Sequence, residues 1–380
     1  MNSNKSAFID RKKELNFLME WVNTEPKSLL FLYGPKSSGK TTLLIKFIEF
    51  ITKDNKYHVK NFNLRKMLIS NYKDFIRAFF EIDFEKSKDE IKEKREYNLK
   101  LFKLTTEILK GLENKEYDPF AVLETELNKI VKKDIRPIII IDELQALEDI
   151  YINGQRPLLK ELFNFFVAMT KESHLSHFII ASSDGYFMNR IYNDSKLMKT
   201  SAFYEIDYLT KENTIYWLNN LKKESAIDAF TLTNTQIETI YKYFGGSMWE
   251  ISHILDLLTP MAKNKKINDD DLMEIINKQI TYNCGKFNNF ARLKKNKREL
   301  FKEIYNFLTC QRPLAYFNEN NLVSLIKKSL FDDDELTNIL NELVRKNYIA
   351  YDPTNDNYKI QGKSMYYGLK SYVEMITNYE

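Results

Sequence analysis

The chain has 380 residues, with 57 Lys+Arg against 53 Asp+Glu and a formal net charge of +4. Hydrophobic residues at 43% exclude a disordered chain, and the near-balanced charge excludes a global polyanion binder, so any nucleic-acid contact has to be local. Cys284 and Cys310 form no paired motif, no apolar run reaches the ~18–20 residues of a membrane span, and the first residues lack a secretory apolar region, so a reducing, cytoplasmic setting away from membranes is expected.

In chain order, Leu15, Leu18, Met19 and Val22 recur at helical spacing and predict a helix over 12–22. Ser28 to Tyr33 is a short apolar run that stops at Gly34, the pattern of a buried parallel strand. Thr41 to Thr52 reads as the helix that follows it. The stretch 71–132 is charged and mostly helical in pattern, with Glu85 to Lys100 reading as a solvated face. Further apolar strands are expected at Pro137–Ile141, His177–Ala181 and Phe203–Tyr208, and a helix at Leu158–Thr170. Alternating strands and helices imply a parallel sheet covered on both faces. Residues 210–283 look all-helical, broken at Gly245-Gly246 and Pro260. From Lys294, three helices precede two strands separated by a turn at Asp352–Asp356, the winged-helix order, and a last helix spans 363–378.

Two motifs carry chemistry. Gly34-Pro35-Lys36-Ser37-Ser38-Gly39-Lys40-Thr41, with Thr42 following, matches the G-x-x-x-x-G-K-[ST] phosphate loop between a strand and a helix. Such a loop wraps backbone N–H groups around phosphate at a helix N-terminus. Lys40 is placed to reach the outer phosphates and Thr41 to ligate Mg²⁺. The run Pro137–Ile141 then delivers Asp142 and Glu143 at a strand end. Asp142 is expected to hold Mg²⁺ and Glu143 to orient or deprotonate an attacking water; the competing reading is a pair of helix-capping acids. Ser182, Ser183 and Asp184 end the next strand and are either a γ-phosphate contact or a simple cap. Arg11 could lie near the nucleotide, and Arg190 and Lys199 near its phosphates. Gly245-Gly246 reads as a helix end in a segment that covers the nucleotide.

The helix beginning near Asp332 would enter the DNA groove of a DNA-binding winged helix. It carries Asp332, Asp333, Asp334, Glu335 and Glu342 against Arg345 and Lys346, which phosphates would repel. Protein contact or self-association is therefore favoured over DNA.

The segments FIDRKKEL, LYGPKSSGKTTLL and RPIIIIDELQAL together resemble the archaeal-type P-loop ATPases related to AAA+ and STAND ATPases. The resemblance implies phosphate and Mg²⁺ roles for Lys40, Thr41 and Asp142, water activation by Glu143, a sensor position at Ser182 or Ser183, and a nucleotide-side place for Arg11. Met248 stands near where the group's lid motif carries proline, and Lys199 near where relatives carry arginine. The expectation is an α/β P-loop core over 1–209, a helical lid over 210–283 and a winged helix over 284–380, binding and slowly hydrolysing ATP as a switch with an unidentified protein partner. The alternatives are a DNA-associated regulator tuned by ATP and a kinase.

Overall fold

The computed structural model describes residues 8–82, 102–104, 106–152, 154–185, 187–188, 191, 197–292 and 294–378. Five parallel strands form the central sheet: β1 (Leu29–Tyr33), β2 (Tyr57–Asn63), β5 (Arg136–Asp142), β6 (His177–Ala181) and β7 (Ser201–Glu205). Their spatial order is β2-β5-β6-β1-β7. Two short strands, β3 (Phe80–Ile82) and β4 (Phe102–Leu104), pair with each other beside it.

Strand β1 is fully buried because both its faces are covered. Leu29, Phe31 and Tyr33 join Phe62, Ile139, Ile141 and Phe178 on one face, under the helices Tyr72–Phe79 and Leu158–Val167. Leu30 and Leu32 point the other way, joining Leu43, Phe47, Ile138 and Ile140 under the helices Lys12–Asn23 and Lys40–Ile51. The side-chain period of two therefore feeds two separate hydrophobic layers.

Three features differ from the sequence expectation. Strand β2 has no clear sequence signal: its side chains are mostly half-buried, as suits an edge strand, and His58, Lys60, Asn61 and Asn63 interrupt its apolar pattern. Strand β7 starts two residues earlier than expected and ends three earlier, at Glu205, although the Ile206 N–H still donates to the Tyr33 carbonyl at 2.8 Å before the chain leaves for the lid. The boundary expected at 283/284 falls inside one continuous helix, Asp269–Ala291. The first half of that helix packs Leu272, Ile275 and Ile276 among Trp217, Ile237, Ile254 and Leu255. Its second half packs Phe287 and Ala291 with the C-terminal cluster. One rigid rod thus ties the two units together. Residues 83–101, which hold the charged run, and Arg190 lie outside the described residues.

The C-terminal unit has the helices Lys295–Cys310, Val323–Lys327 and Asp333–Arg345, then an antiparallel hairpin of β8 (Ile349–Asp352) and β9 (Asn357–Ile360), and finally the helix Lys363–Thr377. Asp332 accepts from the Glu335 N–H at 2.7 Å in a reciprocal capping box, so part of the acidic cluster starts the third helix. The hairpin docks on the core. Tyr33 donates to Asp352 Oδ1 at 2.9 Å, and buried Lys359 Nζ reaches Glu205 Oε1 at 2.9 Å and Asp207 Oδ1 at 3.0 Å. Burial opposes the Lys359 charge, but Asp207 and Glu205 outweigh it and hold the amine above the ordinary lysine range.

Candidate functional site

Strands β1, β5 and β6 all run the same way, so their C-terminal ends open onto one side of the sheet, where ligands of open α/β sheets bind. The loop after β1 carries the phosphate motif. Gly34 has φ +143°, and a Cβ there would sit 2.2 Å from the Ile206 carbonyl oxygen, so no side chain fits. Lys40 starts the following helix and is buried. Its Nζ donates to the Gly34 and Pro35 carbonyls at 2.8 and 2.9 Å. Burial pushes this amine down to about 8, against the opposing pull of Glu143 and Asp142.

The end of β5 meets this loop. Thr41 Oγ1 donates to Asp142 Oδ2 at 2.8 Å, bridging 101 residues of sequence. Two hard oxygens so placed fit Mg²⁺, which accepts few protein ligands and completes its shell with phosphate and water oxygens. Burial raises the pKa of Asp142, while its bond from Thr41 and the Lys40 charge work against that rise. Glu143 follows with a left-handed φ of +65°, an uncommon conformation for this residue type and one that clusters at functional sites. Burial raises its pKa too, opposed first by Arg65. Glu143 Oε1 pairs with Arg65 at 2.6 Å, and Gln145 donates to the other oxygen. Ser182, fully buried, donates to Gln145 Oε1 at 3.0 Å and caps the turn by accepting from the Asp184 N–H at 2.9 Å.

Of these residues, Lys40, Thr41, Arg65 and Glu143 border a cavity of about 840 Å³, while Asp142, Gln145 and Ser182 stand outside its lining. Lys36, Ser37, Gly39, Lys40, Thr41, Thr42, Glu143 and Ser183 line its inner half. Residues 8–254 match the family described as an ATPase domain predominantly from Archaea. The chain belongs to this archaeal ATPase family. An uncharacterized ATP-binding protein of Methanocaldococcus jannaschii is 31% identical over 379 residues, covering 97% of this chain and 95% of the relative. One from Pyrococcus abyssi is 30% identical over 379 residues, covering 97% and 100%. Among solved structures, a Walker-type ATPase of Pyrococcus abyssi superposes with TM-score 0.63 at 16% identity, covering 97% of this chain and 99% of that one. The ORC2 protein of Aeropyrum pernix, in ADPNP and ADP complexes, superposes with TM-score 0.52 at 11% identity, covering 99% and 97%. These two show a shared fold.

In this ATPase-family chain, the remaining sequence candidates separate. Arg11 is buried behind the loop, away from the cavity lining: its Nη2 donates to the Ser38 carbonyl at 2.6 Å and to the Asp207 carbonyl at 2.8 Å, so it clamps the loop to the start of the lid. Gly34, Pro35 and Ser38 shape the loop without lining the cavity. Lys199 is exposed on a short turn and also stands outside the lining. Gly245 ends the helix Asn234–Phe244. Gly246 lies so close to Leu209 that a Cβ would meet its carbonyl oxygen at 2.0 Å, which seats the lid on the core. Met248 then reaches over the phosphate loop: its Sδ would lie 3.1 Å from a Cβ at Gly39.

Asn63 and Arg65 went unrecognised in the sequence. Asn63 Nδ2 donates to Asp142 Oδ2 at 3.3 Å and Arg65 holds Glu143, both because β2 lies beside β5. The only available signal was weak, a polar end to an unrecognised strand. The cavity's outer half is also new. It is closed by the lid helix Met248–Leu258, the rod Asp269–Ala291 and the C-terminal unit, which reaches the lining through Asn347, Gln361 and Met365. No helix among the described residues is long and apolar enough to cross a membrane.

Proposed function

We propose that this chain binds Mg-ATP in the cavity and hydrolyses it slowly, as a switch whose state the lid and C-terminal unit transmit to a protein partner. The observation that carries this reading is the convergence of Lys40, Thr41, Glu143 and Ser183 from three strand ends on one cavity, with Asp142 bonded to the lining Thr41. The loop amides and charged Lys40 hold the triphosphate and stabilise charge as the terminal phosphoryl group transfers. Mg²⁺, held by Thr41 and Asp142, would neutralise phosphate charge when bound. Glu143 accepts a proton from water as its oxygen forms a bond to the γ-phosphorus. The bond from that phosphorus to the β–γ bridging oxygen breaks, releasing ADP and phosphate. Arg65 and Gln145 set the orientation of the Glu143 carboxylate, and the Arg65 charge opposes the rise in basicity that burial gives it.

A switch needs a moving part that feels the nucleotide. Met248 over Gly39 links loop and lid, and the C-terminal unit borders the same cavity. The docked hairpin and the acidic third helix favour protein contact over DNA reading. Calorimetry with Mg-ATP and a phosphate-release assay test the proposal. Glu143→Gln should retain binding and lose roughly 10²- to 10⁴-fold in turnover. Lys40→Ala should abolish binding. Normal turnover in the Gln variant would remove Glu143 as the proton acceptor.

A further inference from the structure

The join between the rod and the first helix of the C-terminal unit carries charges that the fold does not ask for. Between Glu274 and Glu299 the chain has no acidic residue, while Lys278, Lys286, Arg292, Lys294, Lys295, Lys297 and Arg298 are basic. Lys294 is the N-cap of the helix Lys295–Cys310, Lys295, Lys297 and Arg298 follow directly, and no acid stands in its first turn. Cations at that end face the positive pole of the helix dipole and work against the helix. The helix Asp333–Arg345 has the favourable order, with Asp333, Asp334 and Glu335 at its start and Arg345 at its end.

Packing brings the two helices together at these charges. Lys297 Nζ lies 3.7 Å from Glu342 Oε2, and Lys346 Nζ lies 3.8 Å from Glu342 Oε1, so the start of one helix meets the end of the other. Arg298 Nε donates to the Arg292 carbonyl at 3.0 Å, which folds the join back on itself. Arg292, Lys294, Lys295, Arg345 and Lys346 are exposed. Among the described residues, Glu342 is the one acid in ion-pair contact with this group, and Arg292, Lys294, Lys295 and Arg345 have none. Lys297 sits over the Phe290 ring at 3.8 Å; burial lowers its pKa, Glu342 opposes that, and Lys294 and Lys346 push it further down. None of the side chains on this basic surface lines the cavity.

We propose that this surface binds the phosphate backbone of duplex DNA without reading its sequence. Crowded, unpaired like charge strains a fold, and a polyanion relieves it while releasing its own condensed counterions. The described residues of the surface expose no large apolar or aromatic side chain. That counts against a single strand, which stacks its bases on rings, and against a membrane, which takes up inserted apolar groups. The acidic third helix and the docked hairpin bar a winged helix from reading base edges, but backbone contact uses neither.

Fluorescence anisotropy of the full chain with short labelled duplexes of two unrelated sequences tests this. Both should bind alike, and log affinity should fall linearly with log salt, by about 0.9 per phosphate contacted. Lys294→Ala combined with Lys295→Ala should weaken binding roughly 10- to 60-fold at about 0.1 M salt and flatten that slope by about 2. Lys222→Ala combined with Lys223→Ala, at exposed lysines of the lid, should leave both nearly unchanged. The Lys294→Ala, Lys295→Ala chain should melt at or above the wild-type temperature, because its helix sheds cations from the wrong end. No duplex binding, an affinity insensitive to salt, or equal losses in the two double variants overturns the proposal. Tighter binding of a single strand overturns it too, as does a lower melting temperature, which would assign those lysines to the fold. None of these measurements uses ATP, so their failure leaves the nucleotide reading standing.

Discussion

The two halves of the cavity are built by different means. The inner half is made by three strand ends of one sheet, with backbone amides and a short contiguous loop, and its key bond joins Thr41 to Asp142 at 2.8 Å. The outer half is made by side chains from the lid helix, the rod Asp269–Ala291 and the C-terminal unit. The sheet fixes the first almost independently of what surrounds it. The second exists only while three units stay docked. Binding that spans both halves therefore couples a rigid site to an assembled one, and the switch proposed above draws on that asymmetry.

The sharpest way to break this comparison is to damage only the rigid half. Gly34→Ala places a Cβ against the Ile206 carbonyl in a backbone region that alanine avoids. It should cost roughly 3 kcal/mol or more of stability, and nucleotide binding with it. Urea denaturation and calorimetry check this. A variant of wild-type stability and affinity would mean that the loop is far more pliable than its close packing indicates.

Damage to the docking should be milder and of another kind. Lys359→Met removes the amine that joins β9 to Glu205 and Asp207. Lys359 is 6% exposed, whereas Glu205 and Asp207 are 28% and 54% exposed, so both acids still reach water once the amine is gone. The expected loss is about 1–2 kcal/mol, below that for breaking a fully buried pair. The decisive readout is proteolysis between the core and C-terminal unit, which should accelerate while the core still binds tripolyphosphate. Unchanged proteolysis would show that the hairpin contact does not hold the units together.

The smallest effect sharpens the inner half through pH. Lys40 has its pKa lowered to about 8. Below that pH the amine is already charged and attracts phosphate. Above it, the free protein has lost the proton, and binding has to take one up, because phosphate favours the charged form. Mg-ATP affinity should therefore be flat below pH 8 and fall by at most about tenfold per unit above it. An affinity that stays level to pH 10 would show that Lys40 contributes little charge to binding.

Much of the inner half is legible in the residues alone. A run such as Leu29–Tyr33 has to be buried on both faces, and glycines with Lys40 and Thr41 directly after it leave little choice of loop. Asp142 and Glu143 follow another such run. Strand β2 escapes this reading because an edge strand needs only a half-buried pattern, and polar residues break its alternation. Asn63 and Arg65 escape with it, since their roles depend on β2 lying beside β5. Arg11 looks in sequence like a nucleotide contact, but its guanidinium clamps the loop from behind, because the Ser38 and Asp207 carbonyls lie within its reach.

The sequence by itself determined the parallel core, the phosphate loop and the acidic strand end, because local periodicity and contiguous motifs carry them. Only the tertiary structure decided which partners orient Glu143, that one helix joins lid to C-terminal unit, and that Asn347, Gln361 and Met365 share a cavity with Lys40. Those contacts join residues tens to hundreds of positions apart, and chain packing, which no local pattern encodes, brings them together.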